Sequence, residues 1–121
     1  DEVDAVRFGW FELEKLLWLA CHGPLCERYG VTVGRVVADH RPELEALVRE
    51  LLPVGRAAWG AEPDPGWVIA HLVAYSQAIP AYRASVKEWP WRNGWIRANA
   101  RRFGLPTPLH DTLLERTGHP G

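Results

Sequence analysis

Leu13-Glu14-Lys15-Leu16-Leu17-Trp18-Leu19-Ala20 sets apolar side chains at positions 13, 16, 17 and 20. Because a helix turns once every 3.6 residues, that i, i+3, i+4, i+7 spacing lays them along one stripe. The pattern predicts a helix over about residues 6–29, kinked or interrupted at Gly23-Pro24, where proline removes a backbone donor and crowds the preceding turn. Thr32 is a candidate cap for a short helical turn through Ala38. The same spacing recurs at Leu44, Leu47, Val48 and Leu51, between a first-turn proline at Pro42 and a stop near Gly60, with Pro53 as a disturbance. A connector, Ala61-Glu62-Pro63-Asp64-Pro65-Gly66, supplies Asp64 as the cap of the next helix. Residues 65–82 contain no Asp, Glu, Lys or Arg, and Val68, Ile69, Leu72 and Val73 recur helically, which reads as a buried helix at the centre of the fold. Residues 80–90 turn or loop, and two further helices are expected at about 91–103, closed by Gly104, and 108–116, closed by Gly118. No stretch alternates with period two, so the chain reads as one all-α domain, residues 1–121, of five to six helices.

Working outward, 121 residues at 47% hydrophobic and 24% charged suffice for one domain with a real core. A net charge of -1 gives no basic excess, so no nucleic-acid partner is expected. Cys21 and Cys26 provide no disulfide framework, and a reducing, cytoplasmic location is expected. The longest strictly apolar run, residues 16–21, is far short of the ~20 residues that span a bilayer, so no membrane association is expected either. The chain starts at Asp1 rather than methionine, from which an upstream segment is expected.

Neither G-x-G-x-x-G nor G-x-x-x-x-G-K-[ST] occurs, so a nucleotide would have to be held by another domain. Cys21 and Cys26 are five apart, which turns them away from each other on a helix, and they read as core thiols rather than metal ligands. Lys15 is flanked by Leu13, Leu16 and Leu17 and shares a face with Trp18, Leu19 and His22; partial burial disfavours the charged ammonium, which makes it a candidate proton donor, against the bland alternative of a stem covering apolar surface. Arg83, Ser85, Lys87 and Glu88 share a loop between apolar helices, where polar groups converge on ligands or simply meet solvent. Trp91 and Trp95 are i, i+4 neighbours expected to form a core stripe, with Arg92, Arg97, Arg101 and Arg102 on the other sides of that helix. Of the interaction surfaces open to seven tryptophans, a protein interface fits better than a nucleic acid.

Three pieces then match a known pattern in order. Leu13-Glu14-Lys15-Leu16-Leu17 followed by Pro24-Leu25 and Gly30-Val31-Thr32-Val33-Gly34 resembles the opening of the C-terminal helical domain of the ketopantoate reductase family. Asn93-Gly94-Trp95-Ile96, then Gly104-Leu105-Pro106-Thr107-Pro108 and His110, resembles the tail of the same domain. The resemblance implies the substrate-binding and dimerising half, of 6-phosphogluconate dehydrogenase C-terminal type, of an NADP-dependent 2-oxoacid reductase like 2-dehydropantoate 2-reductase of pantothenate biosynthesis. It implies as partners an N-terminal Rossmann domain holding the NADP, a small 2-oxoacid substrate and a second copy in a homodimer. It also implies Lys15 as proton donor to the keto oxygen, Glu88 as the second catalytic group, and Ser85 and Asn93 as substrate contacts. This chain alone is expected to bind no cofactor and to be inactive. The family's asparagines are replaced by Leu19, Gly23 and Tyr82, which implies a bulkier or less polar 2-oxoacid, or loss of the chemistry. In the latter case the chain is a non-catalytic interaction and dimerisation module on the same fold.

Overall fold

In the computed structural model, which describes the backbone of residues 2–60 and 64–119 and the side chains of 12–60 and 64–119, the opening stripe becomes α1 (Glu2–Tyr29). It is followed by α2 (Val33–Asp39), α3 (Arg41–Trp59), α4 (Pro65–Ala78), a 3₁₀ turn (Trp89–Trp91), α5 (Asn93–Arg102) and α6 (Pro108–Arg116). The described residues contain no strand, and no helix among them is long and apolar enough to cross a membrane. Residues 61–63 of the expected connector lie outside the described residues.

The central pair is α1 and α3, each packed on α2, α4 and α6. They approach closely at Gly55, where an added Cβ would collide with the Leu13 side chain. Leu13, Leu17, Leu44, Leu47 and Leu51 are buried along this contact region and its flanks, each contributing roughly 1.5–3 kcal/mol on leaving water. The middle of the fold is therefore α1, whose residues 20–26 are all buried. The uncharged helix α4 instead buries only one face, through Val68, Ile69, Leu72, Val73 and Ser76. Its other face leaves Trp67 and Tyr75 exposed at 45% and 54%, so the absence of charge reflected an aromatic surface rather than a central position.

Pro24 does not interrupt α1. Proline cannot donate to the carbonyl four residues earlier, here Ala20, and a buried carbonyl without a donor is costly. The Asn93 side-chain amide supplies the missing donor, at 2.9 Å from Ala20 O. Pro53 likewise leaves α3 unbroken, and the carbonyl it strands belongs to Arg49, an exposed residue open to solvent.

Thr32 stands at the start of α2 but its hydroxyl makes no cap. The first amides of α2 are satisfied from a distant loop instead, Val33 N donating to Tyr82 O at 2.8 Å and Gly34 N to Pro80 O at 3.1 Å. Asp64 does cap α4, accepting from Trp67 N at 3.0 Å. The start of α6 is held from α3: Leu109 N and His110 N both donate to the Glu50 carboxylate, at 2.9 and 2.8 Å. Gly60 closes α3 in the left-handed conformation, φ 68°, where a side chain is disfavoured. The expected stripe of Trp91 and Trp95 does not form. Glu88, at φ 51°, and Pro90 end the loop in a 3₁₀ turn, so α5 starts at Asn93; Trp91 is 75% exposed while Trp95 packs edge-on against Trp59.

Candidate functional site

An open cavity of about 1150 Å³ lies between the first half of the described part of α1, the outer face of α4 and the loop that follows it. Trp18 forms its floor. The indole Nε1 donates to Ser76 Oγ at 2.9 Å, and the ring meets Tyr75 edge-on at 5.0 Å and Tyr82 at a 30° tilt, 5.7 Å away. Tyr82 is held in place through its carbonyl, the acceptor for α2 described above. Trp67 and His71, one turn apart on α4, lie ring against ring at 3.9 Å with a 33° tilt, and His71 Nδ1 pairs with Glu14 on α1 at 3.1 Å. Burial raises the Glu14 carboxyl above the usual range, a shift that the His71 contact opposes. Leu19 and Leu72 complete the apolar lining.

Ser76 Oγ accepts from Trp18, donates to Leu72 O at 2.8 Å and lies 2.9 Å from His22 Nε2. With its one proton committed to Leu72, Ser76 must accept from His22 Nε2–H. Desolvation keeps the ring neutral, pushing the His22 pKa down to about 4, so that Nδ1 is the bare nitrogen. A buried network thus locks the cavity floor against the core.

Two cations reach this aromatic space. Lys15 lines it but is exposed, not seated among leucines: Leu13, Leu16 and Leu17 turn into the core, and residue 15 falls on the opposite side of α1. Arg92 comes from the turn before α5. Its Nη2 pairs with Glu88 Oε2 at 2.8 Å, whereas its Nη1 is buried and has no hydrogen-bond partner among the described residues.

The other residues singled out in the sequence do not line the cavity. Glu88 borders a separate hollow of about 250 Å³ with Val86, Lys87, Trp89 and His119, and reaches the larger one only through Arg92. Ser85 belongs to a loop whose backbone rests on Gly23, where an added Cβ would be 2.8 Å from Ser85 O; Val86 N donates to the Glu27 carboxylate beside it. Gly23 is eight residues beyond Lys15, roughly 12 Å further along the helix axis. Asn93 is buried at 1%, its amide nitrogen spent on Ala20 O and on His110 Nε2, both at 2.9 Å. Of the four residues Lys15, Ser85, Glu88 and Asn93, only Lys15 lines the larger cavity, where Arg92 is the other cation. Asn93 serves the backbone because the carbonyl stranded by Pro24 lies directly in its reach.

Sequence reading missed Arg92 and the aromatic wall. One signal was present: Trp67, His71 and Tyr75 stand at i, i+4 and i+8, one face of one helix, in a span free of charge. Cys21 and Cys26 are buried free thiols, both shifted upward by burial, as core residues should be. No cluster of three metal-ligating side chains occurs among the described residues.

No protein-family model matches the chain, and no curated protein matches it. Among solved structures it is similar to the ternary complex of D-mandelate dehydrogenase with NADH and anilino(oxo)acetate, with a TM-score of 0.73 and 21% identity over 88% of this chain. The chain spans 65% of that dehydrogenase chain. The likeness shows a shared fold: this is a helical domain built like one found in an oxidoreductase.

Proposed function

We propose that this chain is the substrate-facing helical domain of a nicotinamide-dependent 2-oxoacid reductase, of the kind its Lys15 and Asn93-Gly94 motifs resemble. The observation that carries the reading is Lys15 on the wall of an aromatic cavity, in a fold shared with a dehydrogenase that binds NADH and an oxo-acid derivative. Reduction of a keto group needs a hydride at carbon and a proton at oxygen. The Lys15 ammonium is the proton source, and its charge stabilises the alkoxide as it forms. The aromatic rings hold the side chain of the substrate and exclude water.

Nothing in this sequence fits a pyrophosphate, since it has no glycine-rich phosphate loop. The cofactor, NADP by resemblance, accordingly belongs to a partner Rossmann-type domain, and the chain alone turns nothing over. Two of the positions where the resembled family carries asparagine, Leu19 and Tyr82, line the cavity here, which favours a bulky, weakly polar 2-oxoacid. Glu88 contributes by fixing Arg92, and Ser85 by shaping the loop at Gly23. The exposed Trp91 offers contact area for a homodimer.

The test is oxidation of NADPH or NADH by the full-length protein in the presence of aromatic and branched 2-oxoacids. Turnover with such acids supports the reading, and none with any 2-oxoacid refutes it. A second reading, a non-catalytic dimerisation module, is favoured by one observation: Ser85, Glu88 and Asn93 do not converge on Lys15. Absent turnover together with stable dimers in sedimentation selects it.

A further inference from the structure

His71 lines the same cavity as Lys15 and takes no part in the chemistry assigned above. Two contacts fix its ring: Nδ1 lies 3.1 Å from Glu14 Oε1, and the Trp67 ring lies against it at 3.9 Å. An ionised carboxylate only accepts, so the neutral imidazole carries its proton on Nδ1 and presents the bare lone pair of Nε2. Nε2 has no partner among the described residues and the side chain is 51% exposed, so this lone pair is open to a ligand. The other titratable side chains on the cavity wall are Glu14, already engaged by His71, and Lys15, Tyr75, Tyr82 and Arg92, which bring protons rather than take them. Lys15 follows Glu14 directly in α1, so an ammonium and a free imidazole base border one apolar space.

The geometry points to a second activity of this cavity, one that needs no hydride: keto–enol tautomerisation of 2-oxoacids that carry hydrogen on C3, with His71 Nε2 as the base and Lys15 as the electrophile. Nε2 takes the proton from C3, the electron pair of that C–H bond becomes the second C2–C3 bond, and the carbonyl pair moves onto oxygen beside the Lys15 ammonium. Return of a proton to C3 from His71, after exchange with water, restores the ketone, so nothing is oxidised or reduced. Glu14 is a positioning residue: it fixes the tautomer and steadies the imidazolium that forms. The inference rests on the reading of Lys15 as the group that meets a substrate carbonyl, and not on hydride transfer.

The experiment follows the C3 proton signal of 2-oxobutyrate by NMR in heavy water, with the full-length protein and no cofactor. The signal should disappear at least about tenfold faster than in buffer holding the same concentration of free imidazole. His71 is half-exposed, so His71→Gln keeps the fold, which circular dichroism checks, and exchange should fall at least about tenfold. Lys15→Ala should slow it to a similar degree. Glu14→Gln keeps an acceptor for Nδ1 but removes the charge, and should move the rising limb of the pH–rate profile to lower pH, which a packing role would not do. Exchange no faster than with free imidazole, or unchanged in His71→Gln, overturns the assignment. Exchange without turnover of NADPH or NADH keeps the tautomerase and discards the reductase; turnover without exchange does the reverse.

Discussion

Asn93→Ala is the substitution whose cost can be worked most directly from the fold. It removes the amide that answers Ala20 O, the carbonyl that Pro24 cannot serve, and the same amide that answers His110 Nε2. Ala20 and His110 are both fully buried, so neither acceptor gains water in exchange. An unsatisfied buried acceptor costs about 1–3 kcal/mol, and with two of them the expected loss is about 2–6 kcal/mol. The mechanism is separable from mere packing by a second change. Pro24→Ala restores a helical N–H to residue 24, which bonds Ala20 O without help. In that background Asn93→Ala should lose only the His110 contact and cost about 1–3 kcal/mol less. Urea unfolding followed by tryptophan fluorescence gives the four corners of the cycle. Additivity of the two substitutions within about 0.5 kcal/mol, the usual behaviour of independent sites, refutes the argument.

The remaining predictions concern the core and the cavity floor. His22 and His110 are both pushed down to about 4 by desolvation, so between the ordinary histidine range near 6.5 and that value the unfolded chain binds protons that the folded chain does not. Stability is full above about pH 6.5 and falls as pH drops toward 4, by about 3 kcal/mol per histidine; an unfolding midpoint independent of pH across that window contradicts this. Gly55→Ala drives a Cβ into Leu13 Cδ1 and should cost about 1–3 kcal/mol of overpacking, read as a lower denaturant midpoint, with a neutral result showing that Leu13 has room to shift. Ser76→Ala strands Trp18 Nε1 and His22 Nε2 together and should lower stability by about 1–3 kcal/mol, read as a lower urea midpoint, since the cavity floor loses its anchor; an unchanged midpoint contradicts this.

Periodicity made the helices legible because each buries a stripe, and Leu13, Leu16, Leu17 and Leu44, Leu47, Val48, Leu51 announce two of them outright. Element ends were legible where one residue decides them, as at Asp64 and Gly60. What the sequence could not carry was long-range compensation. Pro24 looks like a break until Asn93, far along the chain, is seen answering its orphan carbonyl, and Thr32 looks like a cap until the carbonyls of residues 80 and 82 take that role. The site was half legible for the same reason. Lys15 could be picked out by its motif and by the face it shares with Trp18 and Leu19, but not its exposure, because a residue flanked by leucines in sequence points away from them in space. Arg92 carried no signal by itself. Its interest arises from a nitrogen left unanswered in the folded chain, a property of three-dimensional surroundings alone.

The proposed reductase role turns on whether the Lys15 ammonium delivers a proton during ketone reduction. The most direct measurement is kcat for reduction of the best-used 2-oxoacid by the full-length protein carrying Lys15→Ala, compared with the unsubstituted protein. Loss of a positioned general acid predicts a fall of about 10²–10⁴-fold with the fold and cofactor affinity unchanged. A kcat within a factor of about three of the original contradicts it, and would return Lys15 to a surface lysine beside an aromatic groove.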